Sequence, residues 1–182
     1  VLMILAAALS HAQVVYVDQS QTMSTPDGDS FGTAYQTLEE ALTNNPNPGN
    51  PYTIRIAQGT YKPGPDAPKF PFMTAGGDRH LSFVIPDDVN EIRGGYSGLE
   101  GTSPEPTGLP TILSGDIGVG SIDSDNCYHT MVVRRTNTAT VDLEIKDLRI
   151  RDGYADATDP LTEEGYGGGI LVHGSKVRLT RV

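Results

Sequence analysis

Residues 141–155 read VDLEIKDLRIRDGYA. Leu143, Ile145, Leu148 and Ile150 fall between Asp142, Glu144, Arg149 and Arg151, in two short runs that alternate apolar and charged side chains. Alternation of period two puts one set of side chains in a core and the other in water, which predicts two half-buried strands. Similar short runs recur along the chain as VVYV, YTIRIA, LSFVI, NEIRGGY, TILSG, TMVVR, GILV and VRL. Ile92, Ile112, Val132, Ile150 and Ile170 follow one another at intervals of 20, 20, 18 and 20 residues. A period of that size, with two or three short strands per unit and no helix between them, points to a solenoid. The expected fold class is all-β, a parallel β-helix in which strands stack about 4.8 Å apart and inward residues form apolar ladders. On this register Ile92, Ile112, Val132 and Ile150 face inward. A β-sandwich is the alternative for the same set of short strands.

Composition agrees with a turn-rich chain. Gly 21 and Pro 13 among 182 residues call for many turns, and 37% hydrophobic content is enough for a core. A net charge of -10, with no local Lys/Arg cluster to offset it, repels phosphate backbones and argues against a nucleic-acid partner. Residues 1–12, VLMILAAALSHA, read as the remnant of a secretory signal peptide, with small residues before a cut at Gln13. The alternative there is a buried first strand, which the three consecutive alanines disfavour. The apolar run is too short to span a bilayer, and no transmembrane segment is expected. Cys127 is the single cysteine, so an internal disulfide is excluded and a small, partly buried thiol is expected. One helix is predicted, in GTAYQTLEEALTNNP, where Tyr35, Leu38, Ala41 and Leu42 share a face and Asn44, Asn45 and Pro46 end it.

The order VVYVD, DGDSFGTAYQTLEEAL, YTIRIAQGTYKP, IRGGYSGLEGT, PTILSGDI, DNCYHTMV, LRIRDGYA and GYGGGI resembles the N-terminal end of secreted bacterial right-handed parallel β-helix proteins. It is similar to the repeat region of polymorphic outer-membrane proteins and to surface proteins with a C-terminal anchor. The resemblance runs over 14–182 and implies that the helix caps the first coil. It departs at Phe31, where tryptophan is common, and at Cys127, where serine is common. Residues 13–182 are then the cap and first coils of one domain. Because the strand pattern reaches Val182 without a cap, further coils and an anchor are expected downstream. Gly167, Gly168 and Gly169 are expected to turn the chain sharply back after the insertion DATDPLTEEGY. No lysine accompanies them as a phosphate loop would require.

Chemistry is thinner. Asp116, Asp123, Asp125 and Asn126 in SGDIGVGSIDSDN supply the hard oxygen ligands that calcium takes, although the spacing is not that of an EF-hand and solvated acidic turns are the plainer reading. Asp27 and Asp29 form a second acidic turn, and His129 reads as structural, with no second histidine near it. The resemblance brings in polysaccharide lyases, which share the fold and join calcium-binding carboxylates to a basic residue. Arg149, Arg151, Lys176 and Arg178 are the candidates for binding an acidic sugar, against the plainer reading of a solvated charged face. The expected function is an exported cell-surface or extracellular scaffold, adhesin-like and non-catalytic, that binds polysaccharide or a surface protein. The alternative is a carbohydrate-active enzyme, a pectate-lyase-like lyase or a glycoside hydrolase, with its site in further coils.

Overall fold

The computed structural model describes residues 13–44, 49–65, 67, 78–98, 106, 108–134, 142–156 and 165–182. Residues 1–12, with the expected signal peptide, lie outside the described residues. Among the described residues there are eleven strands: β1 (Gln13–Val17), β2 (Tyr52–Ala57), β3 (Gly59–Tyr61), β4 (Phe83–Ile85), β5 (Val89–Tyr96), β6 (Thr111–Ser114), β7 (Met131–Arg134), β8 (Leu143–Lys146), β9 (Arg149–Arg151), β10 (Ile170–His173) and β11 (Val177–Thr180). They form three sheets in the orders β1-β2-β5-β8-β11, β3-β6-β9 and β4-β7-β10, and every strand pair in them is parallel. From β2 onward the chain visits the first, second and third sheet in turn, then begins again with β5, β8 and β11.

Register fixes which side chains meet. In the first sheet Val15, Ile54, Ile92, Ile145 and Leu179 lie in one row across five strands. Tyr61, Leu113 and Ile150 form the row of the second sheet, and Phe83, Met131 and Ile170 that of the third. Most of these side chains join one apolar cluster in which Ile54, Ile92, Leu113, Met131 and Ile145 are 0% exposed. Burial of one such side chain stabilises by about 1.5–3 kcal/mol. The rows open toward β9, β10 and β11, where Ile150, Ile170 and Val177 are only partly buried and Leu179 is 52% exposed.

Two expectations on register are corrected. Ile112 points away from the core, because Leu113 is the residue in register with Tyr61 and Ile150, while Ile112 pairs Thr60 and Arg149. Val132 lies outside the core cluster that takes its neighbours Met131 and Val133, although it too is buried. Ile92 faces inward as expected. The interval near twenty is also not the distance between stacked strands. The register partners Val15, Ile54, Ile92, Ile145 and Leu179 are 39, 38, 53 and 34 residues apart. The steps from Ile92 to Ile112 and from Ile112 to Val132 run from one sheet to the next.

Helix α1 spans Leu38–Thr43, shorter than the run that begins at Tyr35. Thr37 stops it at its N-terminus: its hydroxyl accepts from the Glu40 N–H while the Glu40 carboxylate accepts from the Thr37 N–H, a capping box. Tyr35 is drawn instead into a parallel bridge with Val17. Leu38, Ala41 and Leu42 bury against β1 and β4, so the helix covers the apolar rows at the β1 end. Among the described residues no helix is long and apolar enough to cross a membrane.

Two corners hold the sheets together. Between the first and second sheets, the buried Thr111 hydroxyl accepts from the Gly95 N–H at 2.8 Å and donates to the Ala57 carbonyl at 3.0 Å. Gly94 must lack a side chain there, since a Cβ would lie 2.7 Å from both Thr111 Cβ and the Asp147 carbonyl oxygen. Near the start of β4 and β7, Arg79 stacks 4.0 Å from the Tyr128 ring centroid and donates to the Asn126 and Tyr154 carbonyls and to Asp156. It thereby ties together segments 47 to 77 residues apart in sequence. The glycine cluster works by close approach more than by turning. Gly167 alone of its three glycines has positive φ, whereas a Cβ on Gly153 would lie within 1.5 Å of the Gly168 carbonyl oxygen.

Candidate functional site

Asp18, Gln58, Ser97, Asp147 and Arg181 each follow the last residue of a strand in the first sheet, on β1, β2, β5, β8 and β11 respectively. The parallel register therefore brings them to the corner where the chain turns toward the second sheet. Three adjoining clefts run along this corner. The first, about 210 Å³, is lined by Gln36, Thr37, Glu39 and Lys62 beside the start of α1. It shares Gln19 and Thr60 with the second, about 430 Å³, which adds Asp18, Ser20, Gln58 and Ser97. The second shares Pro110 with the third, about 320 Å³, lined by Leu109, Asp147, Arg149 and Arg181. Linked by these shared residues, they lie in a row along the stacking direction, hereafter the groove.

In the middle cleft, Asp18 is 7% exposed and its Oδ1 accepts from the Ser20 N–H at 2.8 Å and the Ser20 hydroxyl at 2.7 Å. Tyr61 lies beneath, its hydroxyl accepting from the Gln19 N–H and donating to the Ala57 carbonyl. Burial pushes the Tyr61 phenol far above its ordinary range, so it stays protonated.

The third cleft is built on an ion cluster. Asp147 and Arg181 both adopt the left-handed conformation, with φ of 55° and 54°. The Arg181 guanidinium reaches both oxygens of Asp147, and Arg93 Nε donates to Oδ2 at 3.0 Å. The hydrogen bonds from Arg181, opposed by burial and joined by that from Arg93, hold the Asp147 carboxyl below its ordinary value of 3.8. One carboxylate thus faces two arginines, with Arg149 exposed beside them. At the other end, burial raises the Glu39 carboxyl, and Glu39 Oε1 accepts from the Gly64 N–H at 2.8 Å.

Of the four basic candidates read from sequence, Arg149 alone lines this groove. Arg151 is exposed at the end of β9 and pairs with Asp152 at 3.1 Å. Arg178 stands opposite Glu144 on β8, and Lys176 precedes β11 with its carbonyl accepting from the Leu143 N–H. On the outer face of the first sheet, Glu91 and Glu144 are directly opposite each other and Lys146 bridges them at 2.9 and 2.8 Å. The same face also carries Arg55, Arg93 and Arg178, so among the described residues it holds more cations than carboxylates.

The acidic candidates fall elsewhere. Asp116 pairs with Lys62 at 3.3 Å, Asp125 accepts from the Val119 N–H at 2.8 Å, Asp123 sits in a short 3-10 turn (Asp123–Asp125), and Asn126 is buried with its carbonyl on Arg79. Among the described residues no group of three or more His, Cys, Asp or Glu gathers to hold a metal. No step is assigned to calcium at Asp116, Asp123, Asp125 and Asn126. Cys127 is fully buried, and burial pushes its thiol up to about 12. His129 is buried with Nδ1 3.3 Å from the Gly167 carbonyl oxygen.

Sequence reading missed Asp18, Gln19, Gln58, Thr60 and Ser97, while Arg181 is among the basic residues it places near Arg149 and Arg151. The available signal was the DQ, QG, SG and DL steps that follow β1, β2, β5 and β8. No family model, no curated protein and no solved structure matches the chain.

Proposed function

We propose that the three parallel sheets are the faces of a right-handed parallel β-helix, and that the chain is an exported, non-catalytic surface scaffold that binds polysaccharide along the corner groove. The groove carries this reading. It runs along the strand stack, which suits a polymer, and among the described residues it is lined by amides and hydroxyls with arginines at one end. Side chains that both donate and accept are those that sugar hydroxyls need. Arg149 and Arg181 favour a glycan with carboxylates. The cyclic order of the sheets supports the β-helix, and the apolar run of residues 1–12 supports export.

The carboxylates support binding over turnover. Glycoside hydrolysis uses a raised acid paired with a second carboxylate across the sugar, about 5–10 Å away. Asp147 is held ionised by two arginines, Asp18 Oδ1 accepts from the Ser20 N–H and hydroxyl, and Glu39 Oε1 accepts from the Gly64 N–H.

The test is titration calorimetry with polygalacturonate at low and high salt, followed by assays for unsaturated and reducing ends. Binding that weakens with salt and with Arg149→Ala, without new chain ends, is the expected result. New unsaturated ends would replace this reading with a polysaccharide lyase. An affinity unaffected by Arg149→Ala would remove the groove from the account.

A further inference from the structure

We infer that the middle cleft is a subsite for an uncharged sugar unit, so that the glycan in the groove carries a neutral residue beside an acidic one. The inference rests on the reading of the groove as a glycan track. Its basis is a change in the sign of charge at Pro110, the residue shared by the middle and third clefts. On one side the lining among the described residues includes a carboxylate, Asp18, and no cation. On the other it includes Arg149 and Arg181 against Asp147, which Arg93 also engages.

The middle cleft is built around its carboxylate. Asp18 Oδ1 is tied to Ser20, and Oδ2 lies against Gly98, where a Cβ would sit 2.3 Å away. The Gln19 amide lies in the same way over Gly59, at 2.3 Å from a Cβ placed there. Both glycines hold positive φ, +80° and +146°, so the backbone leaves out side chains at two turns where an acid and an amide face the cleft. At about 430 Å³ the space falls within the range of ligand sites, roughly 300–1,000 Å³. A buried carboxylate flanked by amides and hydroxyls accepts hydrogen bonds from sugar hydroxyls and repels a uronate carboxylate. One cleft further along, that same uronate meets arginine.

Three probes separate the cases: hyaluronan oligosaccharides, which alternate uronate with neutral N-acetylhexosamine; polygalacturonate, in which every unit is acidic; and a neutral β-glucan oligosaccharide. The protein is expected to bind the alternating glycan at least about tenfold more tightly than polygalacturonate, the size of one hydrogen bond to a charged group. Asp18→Asn keeps the shape and removes the charge. It should lose about tenfold toward the alternating glycan and gain toward polygalacturonate, which inverts the order. If Asp18→Asn fails to fold, Thr60→Lys, which adds a cation at the mouth of the same cleft, should raise polygalacturonate affinity. Binding of acidic glycans that falls with Arg149→Ala but ignores both middle-cleft variants overturns the subsite and leaves the groove. Equal affinity of the unmodified protein for polygalacturonate and hyaluronan also overturns it. Calcium binding that is abolished by Asp18→Asn, without any glycan preference, would make the cleft a cation site. Failure of all three glycans overturns the subsite and the groove together.

Discussion

Ile112 and Leu113 are adjacent apolar residues of β6, and exchanging their roles would move every side chain of the strand to the opposite face. Leu113 is 0% exposed and lies in register between Tyr61 and Ile150. Ile112 is half-buried over the groove, between Thr60 and Arg149. Leu113→Ala removes a buried side chain from a row whose neighbours are held by strands on both sides, so collapse into the cavity is restricted. The cost is about 3 kcal/mol, inside the range of roughly 2–5 kcal/mol for such truncations. In a domain of this size 1 kcal/mol moves the melting temperature by about 2–4 °C, which gives a loss of about 6–12 °C. Ile112→Ala removes partly solvated surface at less than about 1 kcal/mol, or under about 4 °C. The two variants are to be compared by thermal circular dichroism at one protein concentration. A larger loss for Ile112→Ala than for Leu113→Ala would refute the register and, with it, the placement of Thr60 and Arg149 on the groove side.

Further consequences are open to measurement. Gly153→Ala forces a Cβ into the Gly168 carbonyl, so the approach of β10 to the preceding segment should fail and destabilise by more than about 2 kcal/mol, seen as early hydrogen exchange in 165–173. Arg79→Ala loses the stack on Tyr128 and three hydrogen bonds at about 2 kcal/mol, and Arg79→Lys should not restore it because an ammonium lacks the planar fork. Asp147 has its folded pKa depressed, so its contribution is present above the unfolded value and is lost as pH falls below about 3.8; Asp147→Asn should flatten the acid limb of a pH-melting series and leave the neutral one parallel. Cys127 should resist a thiol reagent in the native state and react at the rate of unfolding, since burial holds the thiol protonated with a pKa of about 12.

Strands were legible wherever one face alone is buried. In β8 the alternation Leu143-Glu144-Ile145-Lys146 matches the burial of Leu143 and Ile145, because water on the outer face makes charge tolerable there. Where both faces are apolar the pattern loses its phase. TILS offers two adjacent candidates, and only the register partners Tyr61 and Ile150 choose between them. MVV offers three, all buried, of which Met131 and Val133 enter the core cluster. β3 was not legible, being three residues long and beginning with glycine. Thr37 and Glu40 carried a readable stop signal for α1, yet the apolar spacing back to Tyr35 outweighed it until the bridge to Val17 claimed that residue.

The groove was hidden for a different reason. Its parts are single residues that follow strands of the first sheet, and the stretches of chain between register partners range from 34 to 53 residues. Side chains brought together by circuits of unequal length leave no fixed spacing to detect. Asp18 beside Gln19 looks like any solvated turn until Gly59 and Gly98 are seen to approach it from segments distant in sequence. Arg149 and Arg151 look equivalent by alternation, but Arg151 turns to Asp152 while Arg149 stands beside the cluster of Asp147 and Arg181. Alternation reports which face of a sheet a side chain occupies. A binding groove at a corner depends on which end of the strand it occupies and what the next circuit sets beside it, and that follows from the register.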